Sequence, residues 1–377
     1  MQFKEVIGQE EVKKKLILSA KENRIPHAQL FLGPEGCGSF ALALAYAQYI
    51  LCPNRDGHDS CGVCPSCRQI AKLAHPDLHF VVPNTTNKSV KKDPETSLFI
   101  NEWRDYVIEK KAYVDLVSWY AAIDLENKQG YINVRDAATL MRRLSIKSYA
   151  GEYKVVILWM AERMNLDAAN KMLKLLEEPP EKTVFLLVAE DRDLLLATIR
   201  SRAVLVKIPG VETEAVERAL VERKGCGSVL AHNAAILSEG NWLKACHYVE
   251  EEEDMKYYSQ TFQQWMRYCF KASVSELVDF SNNIRSIGRK RQQNLLEYGL
   301  RVARNSLLVN NGLVDKVLLP DDEKPFNVNF APFVNPNNMV QFVELLEEGI
   351  RQIERNGYAP LIFMDISLKL TKLLRVK

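Results

Sequence analysis

Between residues 27 and 51 the chain passes from a short apolar strand through a glycine-rich turn into an Ala/Leu-rich helix. The strand is His27-Ala-Gln-Leu-Phe-Leu-Gly33, the turn is Gly33-Pro-Glu-Gly-Cys-Gly38, and the helix runs from Gly38 to Leu51. A continuous apolar strand needs cover on both faces, and a strand that feeds directly into a helix builds a parallel sheet. The rhythm repeats. Leu78 to Pro83, Lys154 to Trp159, Thr183 to Val188 and Ala203 to Ile208 read as further strands. A helix over about Asn165 to Glu178 is stopped by Pro179-Pro180, because proline removes a backbone donor and clashes with the preceding turn.

After Gly210 the strand signals fade. Val211 to Arg223 and Leu230 to Glu239 read as a small helical unit, and Leu295 to Val309, Asn338 to Arg355 and Pro360 to Leu374 as longer helices. Leu319 to Pro336, rich in Pro, Asn and Asp, reads as a loop, and the acidic run 250–254 as a solvated face or linker. The expected fold class is α/β plus all-α. Its domains are an α/β domain over 1–209, a helical lid over 210–255 and a helical domain over 256–377. Residues 84–130 interrupt the α/β rhythm. They carry Trp103, Tyr106, Tyr113, Trp119 and Tyr120, with seven basic and eight acidic residues. They read as an insertion on the domain surface, either a helical excursion or an aromatic partner-binding surface.

The 377 residues include 50 Lys+Arg and 48 Asp+Glu, so the net charge is 50 − 48 = +2. That balance disfavours binding nucleic acid through an overall basic field, so any such role needs a local patch or a partner. Arg285, Arg289, Lys290 and Arg291 form such a cluster, read as a solvated helix face. No stretch approaches the ~18 apolar residues of a membrane span, and Met1 to Glu11 has no apolar core of a signal peptide. A cytoplasmic location with no membrane partner is expected.

The turn at Gly33 stands where a phosphate-binding loop belongs. Such a loop reads G-x-x-x-x-G-K-[ST]; its backbone N–H groups cradle phosphates, its Lys reaches the β- and γ-phosphates, and its hydroxyl holds magnesium. Here Gly33, Gly36 and Gly38 are in place, but Ser39 stands at the Lys position and Phe40 at the hydroxyl position. The strand Val155 to Met160 should be followed by acids that hold magnesium, and it is followed by Ala161-Glu162-Arg163. ATP hydrolysis is not expected, and nucleotide binding is disfavoured.

Cys52, Cys61, Cys64 and Cys67 supply four thiols within 16 residues. Four thiolates satisfy tetrahedral zinc and leave no open position, so the expected cofactor is structural Zn²⁺ in a knuckle over 52–67. His58 and His75 are superfluous to that set and read as surface residues.

In order along the chain stand Val6-Ile-Gly-Gln9, the His27 to Pro34 segment, the cysteine knuckle, Asn170-Lys-Met-Leu-Lys-Leu-Leu-Glu-Glu-Pro-Pro180 and Leu196-Ala-Thr-Ile-Arg-Ser-Arg202. Over residues 1 to about 210 this resembles the bacterial DNA polymerase III clamp-loader family, an AAA+ assembly; the helical remainder matches its collar domain in length and character. The broken phosphate loop favours the delta-prime type over the gamma/tau motors. The resemblance implies a stator that completes a pentamer and donates an arginine in trans to a neighbour's ATP site. The family's Ser-Arg-Cys motif falls on Ser201-Arg202-Ala203, so Arg202 is the candidate finger, with Ser201 beside it. The implied partners are gamma/tau-type ATPase subunits and a delta-type subunit, and through the complex the sliding clamp and primed DNA. The competing readings are a gamma/tau-like motor and a zinc-dependent DNA-binding protein.

Overall fold

The computed structural model of the chain describes residues 1–125, 128–149, 151–250, 252–313, 317 and 323–376. The chain divides into two compact units, Met1–Gly225 with Ser238–Cys246, and Cys226–Leu237 with His247–Lys377.

The first unit is built on five strands: β1 (Ala28–Leu32), β2 (Leu78–Val81), β3 (Lys154–Trp159), β4 (Thr183–Ala189) and β5 (Val204–Lys207). All pairings are parallel, in the order β2-β3-β4-β1-β5. Each strand lies within two residues of its expected position, as continuous apolar runs bounded by Gly and Pro allow. Its helices are α1 (Glu10–Lys21), α2 (Ser39–Leu51), α3 (Pro65–Ala71), α4 (Ile100–Glu109), α5 (Leu116–Ala122), α6 (Val134–Leu144), α7 (Leu166–Glu177), α8 (Ala197–Arg200) and α9 (Thr213–Lys224). From Phe40 to Leu51 every residue of α2 is buried. A helix apolar all round belongs inside. Asn165 caps α7 by accepting from the Ala168 N–H at 2.8 Å.

Residues 84–130, of which 126–127 lie outside the described residues, carry the helices α4 and α5, but their aromatics do not form a surface. Trp103 and Trp119 are fully buried, and Tyr106 and Tyr113 nearly so. Trp103 lies 5.0 Å from Trp119, 5.1 Å from Trp159 and 5.4 Å from Phe40, ring centre to ring centre. The aromatics are core that α4 and α5 bring onto β3 and α2, which overturns the partner-surface reading for these four. Their density follows from the job, since large rings fill a layer that short helices alone would leave thin. The buried Asp136 carboxylate fastens the segment to α6. It accepts from the backbone N–H and hydroxyl of Thr96 at 2.6 and 2.7 Å and from Asn84 Nδ2 at 3.1 Å, and it closes a capping box with Asn133 at 3.0 Å.

The second unit is helical: α10 (Ser228–Leu237), α11 (Trp242–Glu250, shared with the first unit), α12 (Glu252–Lys271), α13 (Val274–Ile284), α14 (Arg289–Asn310), α15 (Lys324–Phe330), α16 (Met339–Glu354) and α17 (Ala359–Leu373). Its core gathers Phe262, Trp265, Leu296, Phe342, Leu346 and Phe363. Gly299 lets α14 approach α12 and α16: a Cβ there would meet the Phe262 ring at 2.8 Å and Leu346 at 3.0 Å. Of the acidic run, residue 251 and the side chains of 252–254 lie outside the described residues. So do 319–322 of the expected loop, but the rest of that loop is α15 and a 3₁₀ turn, Ala331–Phe333. Pro325 sits in the first turn of α15, where its missing N–H costs nothing, and Phe330 anchors the helix in the core. The four residues of the basic cluster are exposed. No helix among the described residues is long and apolar enough to cross a membrane.

Candidate functional site: a closed phosphate loop and an exposed arginine

The glycine-rich turn has the backbone of a phosphate loop. Gly36 (φ +73°) and Gly38 (φ +84°) take the left-handed conformation, and Ser39, half-buried, opens α2. Gly33 is clamped beneath: a Cβ there would meet Ile208 O at 2.4 Å and Cys37 Sγ at 2.7 Å. Burial pushes the Cys37 thiol up to about 11, so it is no nucleophile.

The loop is covered by side chains of its own unit. The backbone N–H of Trp242 donates to Gly36 O at 3.0 Å, and Asn241 Nδ2 donates to Glu35 Oε1 at 3.3 Å. The Asn241 carboxamide presses on Gly36 so closely that a Cβ on Gly36 would meet its Oδ1 at 1.8 Å. Tyr113 covers Gly38 at 3.1 Å, measured from a Cβ built there, with its ring centre 5.8 Å from that of Trp242. Its hydroxyl accepts from the Ile7 N–H at 2.8 Å, and burial raises its pKa to about 12. Gln9 Nε2 donates to Cys37 O at 3.2 Å and Pro209 O at 2.7 Å. Phe40, in place of the magnesium-binding hydroxyl, is buried against Trp103 and Trp159.

The electrostatics have also reversed. Glu162 is tied to the backbone beyond β4. Its Oε1 accepts from the backbone N–H of Glu190 at 2.8 Å and of Asp191 at 3.4 Å, and burial raises its carboxyl pKa. Glu190, just beyond β4, is pushed up to about 7 by burial and by the charges of Glu35, Glu162 and Asp115. A phosphate cradle should present positive charge; here the carboxylates of Glu35 and Glu162 interact with that of Glu190, with Arg163 the cation among them. The sequence showed the missing lysine and the poor second motif. It did not show Glu35, Glu190 and Asp115 interacting, or Tyr113, Asn241 and Gln9 packing on the loop, because these come from segments as much as 206 residues from it.

Arg202 sits elsewhere on the sheet. Strand β5 is an edge strand, and its Val204 pairs with Gln29 of β1, the end of β1 remote from Gly33. At ~3.3 Å per residue, Arg202 is roughly 15 Å or more from its own cradle, beyond the reach of its side chain. The guanidinium is about a third exposed, ion-paired to Glu177 at the end of α7, and donates to Thr198 O at 2.9 Å and Ser201 Oγ at 3.2 Å. Around it Leu194, Leu196, Val204 and Leu205 are exposed by 62, 37, 54 and 48%.

The four cysteines converge. Their sulfurs all lie within 4.8 Å of one another. Cys52 is 3.6 Å from Cys61 and 3.9 Å from Cys64, and Cys61 is 3.9 Å from Cys67. Four sulfurs at ~2.3 Å from a tetrahedral zinc would stand ~3.8 Å apart, so the set fits the ion. Backbone N–H groups of Cys61, Cys64 and Cys67 each donate to the preceding cysteine sulfur at 3.4 Å. Cys64 also caps α3. His58 is exposed and outside the set, as expected. His75 is buried rather than on the surface, its Nδ1 accepting from the Asp77 N–H at 3.1 Å.

A family profile described as DNA polymerase III, delta subunit, matches residues 8–212. The chain is 33% identical over 183 residues to the DNA polymerase III subunit delta' of Pseudomonas aeruginosa, covering 48% of this chain and 43% of the relative. It is 28% identical over 230 residues to the same subunit of Bacillus subtilis, covering 61% and 55%. It is 29% identical over 200 residues to the gamma/tau subunit of Mycobacterium bovis, covering 53% and 27%. The chain thus spans about half, or less, of the length of these relatives. With more than half of its residues matched by the profile, the chain belongs to the DNA polymerase III delta-subunit family.

Proposed function

We propose that this chain is the delta-prime-type stator of a DNA polymerase III clamp loader in DNA replication. It completes the pentamer without hydrolysing nucleotide and gives Arg202 to the ATP site of a neighbouring gamma/tau-type subunit. The observation that carries this reading is the opposition between the two anion-directed features of one sheet. The chain's own cradle has Asn241, Trp242 and Tyr113 packed against it and carboxylates interacting beside it. Its arginine stands at the other end of the sheet, about a third exposed beside an apolar edge and ion-paired at rest to Glu177. An arginine is suited to that post because its planar fork binds phosphate oxygens and its charge cannot be lost.

In this reading residues 1–209 are the AAA+ domain, 210–255 the lid and 256–377 the collar that joins the pentamer. A delta-type subunit is a further partner, the sliding clamp and primed DNA are reached through the complex, and the site of action is the cytoplasm. Cys52, Cys61, Cys64 and Cys67 hold a structural zinc ion, which supplies the 52–67 knuckle with a core it is too short to build from side chains.

The test is ATP turnover on primed DNA with clamp, measured for the pure chain, for gamma/tau and delta subunits without it, and for the three together. The expected result is no turnover by the chain alone and full turnover only in the complete set. Robust hydrolysis by the pure chain would overturn the reading in favour of a motor.

A further inference from the structure

The second unit carries a groove of about 500 Å³ between the C-terminal half of α12 and the α15 segment. Its walls are aromatic. Phe326 and Phe330 stack at 5.4 Å, Phe330 and Phe333 lie 6.1 Å apart, and Phe270 meets Phe333 edge-on at 5.1 Å. Phe270 is 49% exposed, unlike the rings of the core beneath.

On the same wall stand Arg267 and Lys271, four residues apart on α12 and both exposed. Neither side chain makes a hydrogen bond or ion pair among the described residues, and no carboxylate lines the groove there. Three other cations of this unit are paired: Arg351 with Glu347 and Glu348, Lys369 with Asp365, and Arg301 with Glu323. A pocket of this size holds one or two large side chains. Its chemistry asks for an apolar group with negative charge beside it.

We propose that this groove docks a short acidic peptide segment of a partner protein. A phenylalanine or leucine of that segment enters among the four rings, and its flanking Asp or Glu carboxylates pair with Arg267 and Lys271. Single-stranded nucleic acid fits less well. It needs cations tracking a backbone and free ring faces for stacking, whereas these two cations sit one helical turn apart and the rings pack mainly on one another. The proposal does not depend on the clamp-loader reading.

The test begins with selection of a randomised 12-residue peptide library against the full chain. The enriched peptides, fluorescently labelled, are then titrated by anisotropy onto wild type, Arg267→Glu/Lys271→Glu, Arg267→Gln/Lys271→Gln and Phe270→Ala. All these positions are exposed, and thermal melting checks that each variant is folded. Enrichment of peptides pairing Phe or Leu with Asp or Glu is expected. Charge reversal should weaken them at least tenfold, neutralisation less, and amide substitution of the peptide acids should match it. The proposal is overturned if nothing is enriched, or if enriched peptides bind the charge-reversed chain equally well. It is also overturned if a labelled oligo-dT displaces them with the same residue dependence, or if the groove residues instead hold two copies of the chain together in sedimentation.

Discussion

The cradle at Gly33 to Ser39 and the turn at Ser201-Arg202 stand at opposite ends of neighbouring strands, and they have been finished in opposite ways. The cradle keeps the glycine geometry of an anion site, with Asn241, Trp242 and Tyr113 packed against it and Glu35, Glu162 and Glu190 interacting beside it. The arginine turn has no cradle at all, only a cation about a third exposed, ion-paired to Glu177 beside an apolar sheet edge. The comparison teaches that backbone shape alone does not make a phosphate site. What decides is which groups fill the mouth of the loop and what charge they bring.

The largest effect should fall on the core behind the cradle. Trp103→Ala removes the ring on which Phe40, Trp119 and Trp159 pack and should cost ~3–5 kcal/mol in urea unfolding. Leu205→Ser, on the open edge strand, should cost under ~1 kcal/mol. Equal losses would break the contrast between a packed and an open region.

Next, Gly36→Ala should destabilise by ~1–3 kcal/mol, since it adds a left-handed strain to a collision with Asn241. Adding Asn241→Gly should recover only the collision part. Full recovery in the double variant would mean that the backbone at Gly36 is not strained.

Glu190 gives a smaller, pH-dependent effect. Its folded pKa of about 7 lies above the usual 4.5, so the folded state holds the proton more tightly than the unfolded one. Stability is therefore lost as pH rises from about 4.5 through about 7. Glu190→Gln escapes that loss. Its melting temperature should exceed wild type above pH 7, and the gain should vanish below about pH 4.5. A constant difference across that range would show that the carboxylates do not load the cradle.

The smallest effect is expected at the arginine's resting partner. Glu177→Gln breaks a partly exposed ion pair and should change stability by no more than ~1 kcal/mol. A larger loss would make Arg202 a structural residue.

How far these features were legible follows from the range of the interactions that make them. The strands and α2 were legible because a buried parallel strand is a local apolar run, and the four cysteines because their spacing is itself the signal. Trp103, Tyr106, Tyr113 and Trp119 were misread as surface because their partners Phe40, Trp159 and Trp242 are remote in the chain. α15 was missed because Pro325 and four Asn or Asp between 321 and 329 read as breakers, yet proline in a first turn is permitted and Asn327 is buried, its Nδ2 donating to Val302 O at 3.2 Å. The two defects of the phosphate loop were visible as substitutions at fixed offsets. The cover over it was not, since no local pattern announces that Asn241 meets Gly36.

The central claim is that this chain's phosphate chemistry has passed from its own cradle to Arg202. It is tested most directly by ATP turnover of the reconstituted loader on primed DNA with clamp, comparing wild type, Arg202→Ala and Ser39→Ala chains that assemble equally. The account predicts that Arg202→Ala removes turnover at the neighbouring site it serves, ~10³-fold at that site, and that Ser39→Ala changes nothing. Normal turnover with Arg202→Ala, or a loss with Ser39→Ala, would contradict it.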